Sequence, residues 1–329
     1  MPSIVTLTLN PAVDGSAEAE VVRPVRKTRT SNERYDPGGG GINVARVVQE
    51  LGGSALAVYL GGGATGSVLD ELLDAHNIPR RRVPIRDHTR VSHAVFERAT
   101  GLEYRFVPEG PQVSEEEWRA CLATLDELAF DWLVASGSLP RGVPSTFYVE
   151  VARIAAGKRA RFALDTSGEA LRASLSAGGL YLVKPSLGEL ESAVERPLPD
   201  PRDQEAAASD LVRSGAVELL AATMGHQGAL LTTREGSFRL RAPEVQARST
   251  VGAGDSFLGA MTLALAQGQA PWTAFTRGVA AGTAAVLTPG TQLCRREEVE
   301  RMHERIIREQ PTNIRDEQQT AAKTRSPHG

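Results

Sequence analysis

The chain has 329 residues, 41% of them hydrophobic, and 37 Lys+Arg against 40 Asp+Glu give it a formal net charge of −3. A chain of this length can bury one large α/β core or two smaller ones, and the near-neutral balance argues against a dedicated nucleic-acid or membrane-surface binder. Its two cysteines, Cys121 and Cys294, lack ligand-like spacing and fit buried thiols in a reducing compartment better than a disulfide framework or a zinc site.

In chain order, the run Ile4–Leu9 predicts a strand. No basic segment precedes it, so no secretory leader is read there. No apolar run approaches membrane-spanning length, and the expectation is a cytoplasmic protein. Glu18–Arg29 is charged and reads as extended. Gly38–Gly41 leads into a helix over Ile42–Leu51. Four consecutive glycines are costly in chain entropy. Close backbone approach to a polyhydroxy ligand explains them better than a linker, because linkers rarely enter an amphipathic helix directly. A strand over Ala55–Leu60 is followed by Gly61–Gly66, which matches G-x-G-x-x-G. It follows the second strand unit and lacks the expected downstream acid, so a tight strand-to-helix turn is the better reading. Helix Val68–His76 follows. Val91–Glu97 and Leu102–Val107 then flank Arg98–Gly101 and predict a hairpin. With the charged segment before it, the hairpin predicts a small antiparallel β-lid from about 15–35 and 88–108, although a decorated surface hairpin would look similar.

Beyond the lid, strands are expected at Trp132–Ala135, Phe162–Asp165, Tyr181–Val183, Leu219–Thr223 and Ala229–Thr232. Helices are expected at Glu115–Leu128, Ser145–Ala156, Ala206–Ser214 and Ser256–Gln267, with a final helical block over Trp272–Leu287. Alternating apolar strands and helices predict a doubly wound, mostly parallel α/β sheet covered on both faces. Ligands in such sheets bind beyond the carboxyl ends of the strands. Asn10, Ser136–Ser138, Asp165–Ser167, Lys184–Ser186 and Thr223–Gly225 each follow a strand, which gathers polar residues on one rim. Residues from about Gln310 are polar and charged, and 311–329 read as a disordered tail. The folded domain is expected over 1–310.

The most informative segment is Ser249–Phe257. It reads as a glycine turn opening a helix, with Asp255 at the entrance. Gly252, Ala253 and Gly254 let backbone N–H groups converge on an anion at a helix N-terminus. An acid beside such a nest suits removal of a proton from a hydroxyl that attacks a phosphate. A lone Gly-Ala-Gly-Asp is more often an ordinary helix entrance, but other segments supply the remaining parts.

Thr6–Asp14, Gly38–Asn43, Ser136–Pro140, Asp165–Leu171, Val183–Pro185 and Ser249–Ser256 occur in order over nearly the whole chain. This order resembles the ribokinase-like (PfkB) carbohydrate kinase family in its phosphosugar branch. Gly38–Arg46, Tyr104–Phe106, Ser167–Leu171 and Gly290–Cys294 are most similar to the minor-type 6-phosphofructokinases within it. The resemblance implies a ribokinase-like sheet with a β-lid that pairs two subunits, and Mg-ATP as cosubstrate. By position, Asp255 matches the catalytic base, and Gly252, Ala253 and Gly254 match the anion hole. Asp14, Gly39, Gly40, Asn43 and Ser138 match sugar contacts, and Lys27, Arg90 and Arg105 match cations around the sugar phosphate. A guanidinium fork suits a phosphate dianion, although a single lid arginine is by default a solvated surface charge. Lys184, Ser186, Glu189, Thr223, Gly225 and Gly228 match nucleotide-side positions, with Glu189 reaching Mg²⁺ through water. A potassium site near Ser249, Val251, Ala285 and Gly290 is also implied. The chain departs from the family at Ser186, where the usual pattern has asparagine ahead of Glu189, and at Leu287–Gly290 and Gln292. Asp165 could support a neighbouring site group, but the simpler reading is a strand-end acid. The expected activity is ATP-dependent phosphorylation of fructose 6-phosphate at O1. The alternatives are phosphorylation of fructose 1-phosphate, tagatose 6-phosphate or a nucleoside, and a catalytically weak sugar-phosphate sensor.

Overall fold

A computed structural model describes residues 3–309, so the expected tail lies outside the described residues. The elements run β1 (Ile4–Thr8), β2 (Ala12–Ala19), β3 (Thr30–Gly38), α1 (Gly40–Glu50), β4 (Ala55–Gly62), α2 (Gly63–Ala75), β5 (Arg80–Ile85), β6 (Arg90–Glu97), β7 (Glu103–Phe106) and α3 (Glu115–Glu127). They continue β8 (Trp132–Ser136), α4 (Phe147–Gly157), β9 (Arg161–Asp165), α5 (Gly168–Ala177), β10 (Leu180–Val183), α6 (Leu187–Ala193), α7 (Pro201–Arg213), β11 (Val217–Thr223), β12 (Ala229–Thr232), β13 (Ser237–Leu240), α8 (Ala253–Ala266), α9 (Pro271–Ala285) and α10 (Arg296–Glu309).

Nine strands form the main sheet in the order β13-β12-β11-β10-β9-β8-β1-β4-β5. The run from β11 to β5 is parallel, and β12 and β13 add an antiparallel edge. Each central strand divides its side chains between two cores. Trp132 and Val134 of β8 pack into the layer holding α1, α8, α9 and α10, while Leu133 and Ala135 pack into the layer of α3, α4 and α7. Burial on both faces is what makes these strands continuous apolar runs. The chain extends the sheet from β1 outward to β5, then returns to add β8 on the other side of β1. That reversal opens a crevice at the carboxyl ends of β1 and β8.

The second sheet has the order β3-β2-β6-β7. Its outer pairs, β2/β3 and β6/β7, are antiparallel, and β2 runs parallel to β6. The charged segment is only partly extended, because β2 ends at Ala19 and residues 20–29 form a loop. Asp14 sits within the lid strand β2, just after β1. Strands β5 and β13 and helices α5, α6 and α10 lie outside the expected elements. The edge strand β5 begins Arg80-Arg81-Arg82, which hides its pattern, whereas Val299, Met302 and Ile306 of α10 are buried at helical spacing.

The glycine run has a structural cause beyond any ligand. A methyl group built on Gly40 would lie 2.2 Å from Ser136 Oγ, and one on Gly38 would lie 2.0 Å from Asp14 Oδ2. Gly39 has φ 109° and caps α1 without a side-chain hydrogen bond. These residues let α1 enter directly over β1, β2 and β8. Gly39→Ala combines a left-handed φ with a built contact of 2.7 Å to Thr8. It is expected to lower stability by roughly 2–4 kcal/mol from strain plus overpacking, measured as a shift in the urea midpoint at unchanged slope.

Candidate active site

Asp255 lies in the first turn of α8, which begins one residue after Gly252. Gly252 adopts φ 73°, and no side chain caps the helix. The expected glycine turn is therefore the helix entrance itself, and its early N–H groups are free to meet an anion. The Asp255 carboxylate is held from both sides. Asn43 Nδ2 donates to Oδ2 at 2.9 Å and Ser136 Oγ donates to Oδ1 at 3.2 Å. Burial raises its pKa above the ordinary 3.8, against the opposing effects of Asn43, Lys184 and Ser136, with Asp14 adding to the rise.

Beside it stands Lys184, only 4% exposed, at the end of β10. Its Nζ lies 3.1 Å from Asp165 Oδ2, and a methyl group built on Gly254 would come within 3.3 Å of the same nitrogen. Desolvation alone would lower the amine pKa, but Asp165, Glu189 and Asp255 outweigh it and the net shift is upward, so Lys184 stays an ammonium. Asp165 is more than a strand-end acid. It pairs with Lys184, and its Oδ2 lies 3.4 Å from Ser136 Oγ, whose one proton is shared between Asp165 and Asp255; burial raises its pKa, with Lys184 opposing and Asp255 and Glu189 adding to the rise. Ser136 joins the two carboxylates, although Ser138 was the residue expected from this segment. Ser138 is exposed and accepts from Asn10 Nδ2 at 3.3 Å.

The lid adds a second cluster. Asp14 has a raised pKa from burial, partly offset by Ser92, Arg90, Arg46 and Arg105. Arg90 donates to the carbonyls of Pro108 at 3.0 Å and Asn10 at 2.9 Å, and its buried Nε has no partner. Arg105 is exposed on β7, near enough to act on Asp14. Lys27 is not gathered in; it lies exposed on the loop between β2 and β3.

On the opposite side, Thr223 N donates to Pro185 O at 2.8 Å, which joins the β11 end and the Gly225–Gly228 turn to Lys184–Ser186. Ser186 has a local explanation. Its Oγ accepts from Glu189 N at 3.3 Å while Glu189 Oε2 accepts from Ser186 N at 2.7 Å, a capping box at the start of α6. The Ser-x-x-Glu spacing that signals it is present in the sequence. One Glu189 oxygen thus serves the helix.

No group of three or more His, Cys, Asp or Glu side chains among the described residues is arranged to hold a metal ion. The segments carrying Ser249, Val251, Ala285 and Gly290 adjoin, tied by Arg248 N to Val286 O at 2.7 Å. The Ala285 carbonyl accepts from Thr288 N at 3.1 Å and Thr288 Oγ1 at 2.7 Å. Both of its lone pairs are used, so it is a poor ligand for a monovalent cation.

A family model for the pfkB family carbohydrate kinases matches residues 7–298. The chain belongs to the pfkB family of carbohydrate kinases. It is therefore a phosphotransferase with an alcohol acceptor. It is 43% identical over 319 residues to an ATP-dependent 6-phosphofructokinase isozyme 2 of Mycobacterium tuberculosis, covering 96% of this chain and 93% of that protein. The crystal structure of phosphofructokinase-2 from Escherichia coli in complex with potassium superposes with a TM-score of 0.90 at 40% identity, covering 93% of this chain and 99% of that one. A 1-phosphofructokinase of Borreliella burgdorferi is 32% identical over 301 residues, covering 91% of this chain and 96% of that protein. No helix among the described residues of this pfkB kinase is long and apolar enough to cross a membrane.

Ser186→Ala is expected to cost about 1 kcal/mol of stability through loss of the cap, whereas Ser186→Asn, an equally good N-cap, should be near neutral. Denaturant unfolding of both variants measures this. Equal loss in the two would contradict the capping role.

Proposed function

We propose that the chain transfers the γ-phosphoryl group of ATP to O1 of fructose 6-phosphate, giving fructose 1,6-bisphosphate and ADP. The observation that carries this reading is the half-buried Asp255 carboxylate, held by Asn43 and Ser136 at the uncapped N-terminus of α8 and next to the Lys184 ammonium. Asp255 accepts the proton of the sugar O1 hydroxyl. The O1 lone pair forms a bond to the γ-phosphorus, the bond from that phosphorus to the bridging oxygen breaks, and its electron pair leaves with ADP. The early N–H groups of α8 and Lys184 take up the negative charge of the transferring group. Mg²⁺ bound with the nucleotide would supply further charge neutralisation at the phosphates, and Glu189 would orient one of its waters. Lys184, Ser186, Thr223, Gly225 and Gly228 form the nucleotide side.

Asp14, with Gly39, Gly40, Asn43 and Ser138, forms the sugar side. Arg90 and Arg105 supply the cations for a second phosphate on the acceptor, which favours a sugar phosphate over a free sugar or nucleoside. The name and identity of the Mycobacterium tuberculosis relative support the 6-phosphate over its isomers. Potassium would stabilise the loops at Ser249, Val251 and Gly290. The lid leaves Tyr35, Phe96, Leu102, Phe106 and Val107 exposed, and a second copy of the chain covering this sheet would bury them and bring a second Lys27 loop near the site. The intact Asp255 and glycine entrance weigh against a non-catalytic sugar-phosphate sensor.

An ADP-release assay with fructose 6-phosphate, fructose 1-phosphate and tagatose 6-phosphate tests the substrate. The expected result is the highest kcat/KM with fructose 6-phosphate; a preference for another acceptor overturns that choice. Asp255→Asn should lower kcat by roughly 10²–10⁴-fold with little change in either KM, and retention of more than half the activity would remove it as the base. Arg90→Ala or Arg105→Ala should raise KM for the sugar phosphate far more than for ATP, by an amount equivalent to roughly 2–4 kcal/mol if the pair is desolvated. Unchanged KM in both would make these arginines surface charges.

A further inference from the structure

Outside the residues already assigned, one buried network reaches Asp255 from the lid. Arg46 lies one turn after Asn43 on α1, and its side chain is only 9% exposed. Nη1 donates to Pro37 O at 2.9 Å and to Asn43 Oδ1 at 3.2 Å, while Nη2 lies 3.5 Å from Asp36 Oδ1. Asp36 is itself 1% exposed. Its carboxylate accepts from Arg34 Nε at 2.9 Å, Arg34 Nη2 at 3.0 Å and Thr291 Oγ1 at 2.8 Å, and His76 Nε2 stands 3.8 Å away. Asp36 also pairs with Asp14 across β2 and β3. The lid strand, the helix carrying Asn43 and the loop holding Thr291 therefore meet at one ion pair.

An asparagine amide has two ends of opposite character, and only its nitrogen can donate to a carboxylate. Turned over, Asn43 would face Asp255 with an oxygen, a repulsive contact in place of a bond at 2.9 Å. A guanidinium has donors and no acceptor, so Arg46 can bind only the oxygen end of that amide. We propose that Arg46 is a positioning residue for phosphoryl transfer, fixing the Asn43 amide so that its nitrogen holds Asp255, and that Asp36 makes this hold depend on the seating of lid strand β3. Arg46 touches neither reacting group. It acts through Asn43, and the inference rests on Asp255 being the base.

A double-mutant cycle tests it, with kcat and the two KM values read for each protein and unfolding midpoints read alongside. Arg46→Gln should lower kcat roughly 10- to 100-fold, the scale of losing a hydrogen bond to a charged group, and leave KM for ATP within about twofold. In an Asn43→Ala background the same substitution should change kcat by less than about twofold, because the amide it orients is gone. Arg46→Lys keeps the charge but not the fork, and should recover only part of the rate. Asp36→Asn should lower kcat in the same direction while Arg46 is retained. Additive losses in the cycle, full recovery with lysine, or an unchanged kcat in Asp36→Asn would each overturn the proposal. If Arg46→Gln proves too unstable to purify, the lysine and Asp36 variants decide alone. Failure of the base assignment is separable: Asp255→Asn would then keep its activity, whatever the Arg46 cycle showed.

Discussion

The structure turns on one buried cation. Lys184, shielded from solvent at the end of β10, is surrounded by Asp165 at 3.1 Å and by the nearby carboxylates of Asp255 and Glu189. A buried ammonium is tolerated only when it is paired, and removing one partner leaves an uncompensated charge that typically costs about 3–5 kcal/mol. The three acids come from β9, α6 and α8, so the ends of those elements are fixed relative to one another by this charge. In the proposed reaction the same ammonium faces the phosphate at the α8 N-terminus, so that stability and charge stabilisation would converge on one nitrogen.

The second constraint is close approach. Helix α1 enters through Gly38–Gly41 at distances that leave no space for side chains against Asp14 and Ser136. This proximity lets Asn43 on α1 and Ser136 on β8 hold the two oxygens of Asp255. Asp14 belongs to the lid sheet and Asp255 to the main domain, yet Asp14 adds to the upward shift of the Asp255 pKa. The site is built where the two sheets meet. The same doubly wound architecture serves many chemistries, and what distinguishes this chain is the particular set of groups on that rim.

Much of this was legible in the sequence. The apolar strands alternating with helices, the polar residues following each strand, the hairpin and the Gly252–Asp255 entrance all have local patterns tied to their structures. What escaped depends on which strands are neighbours. Asp165 is unremarkable until β9 lies beside β10 and Lys184 comes within reach. Ser136 gains its role only because β8 borders β1 under α1. The link from Asp36 through Arg46 to Asn43 crosses from lid to helix, and no spacing rule reveals it. Two features were locally encoded and still missed: the Ser186–Glu189 capping box, and the buried stripe of α10 within an otherwise charged helix.

The account stands on Asp255 as the group whose ionisation controls transfer, and the pH dependence of kcat is its most direct test. Burial raises the pKa of this carboxylate, and it must be ionised to accept a proton. Activity is therefore full at higher pH and lost as pH falls through its raised value. The predicted profile of the wild type has an acid limb above the ordinary aspartate value of 3.8, and the residual rate of Asp255→Asn lacks that limb. An acid limb that survives unchanged in Asp255→Asn would place the controlling proton on another group, such as Asp165, and would contradict the account.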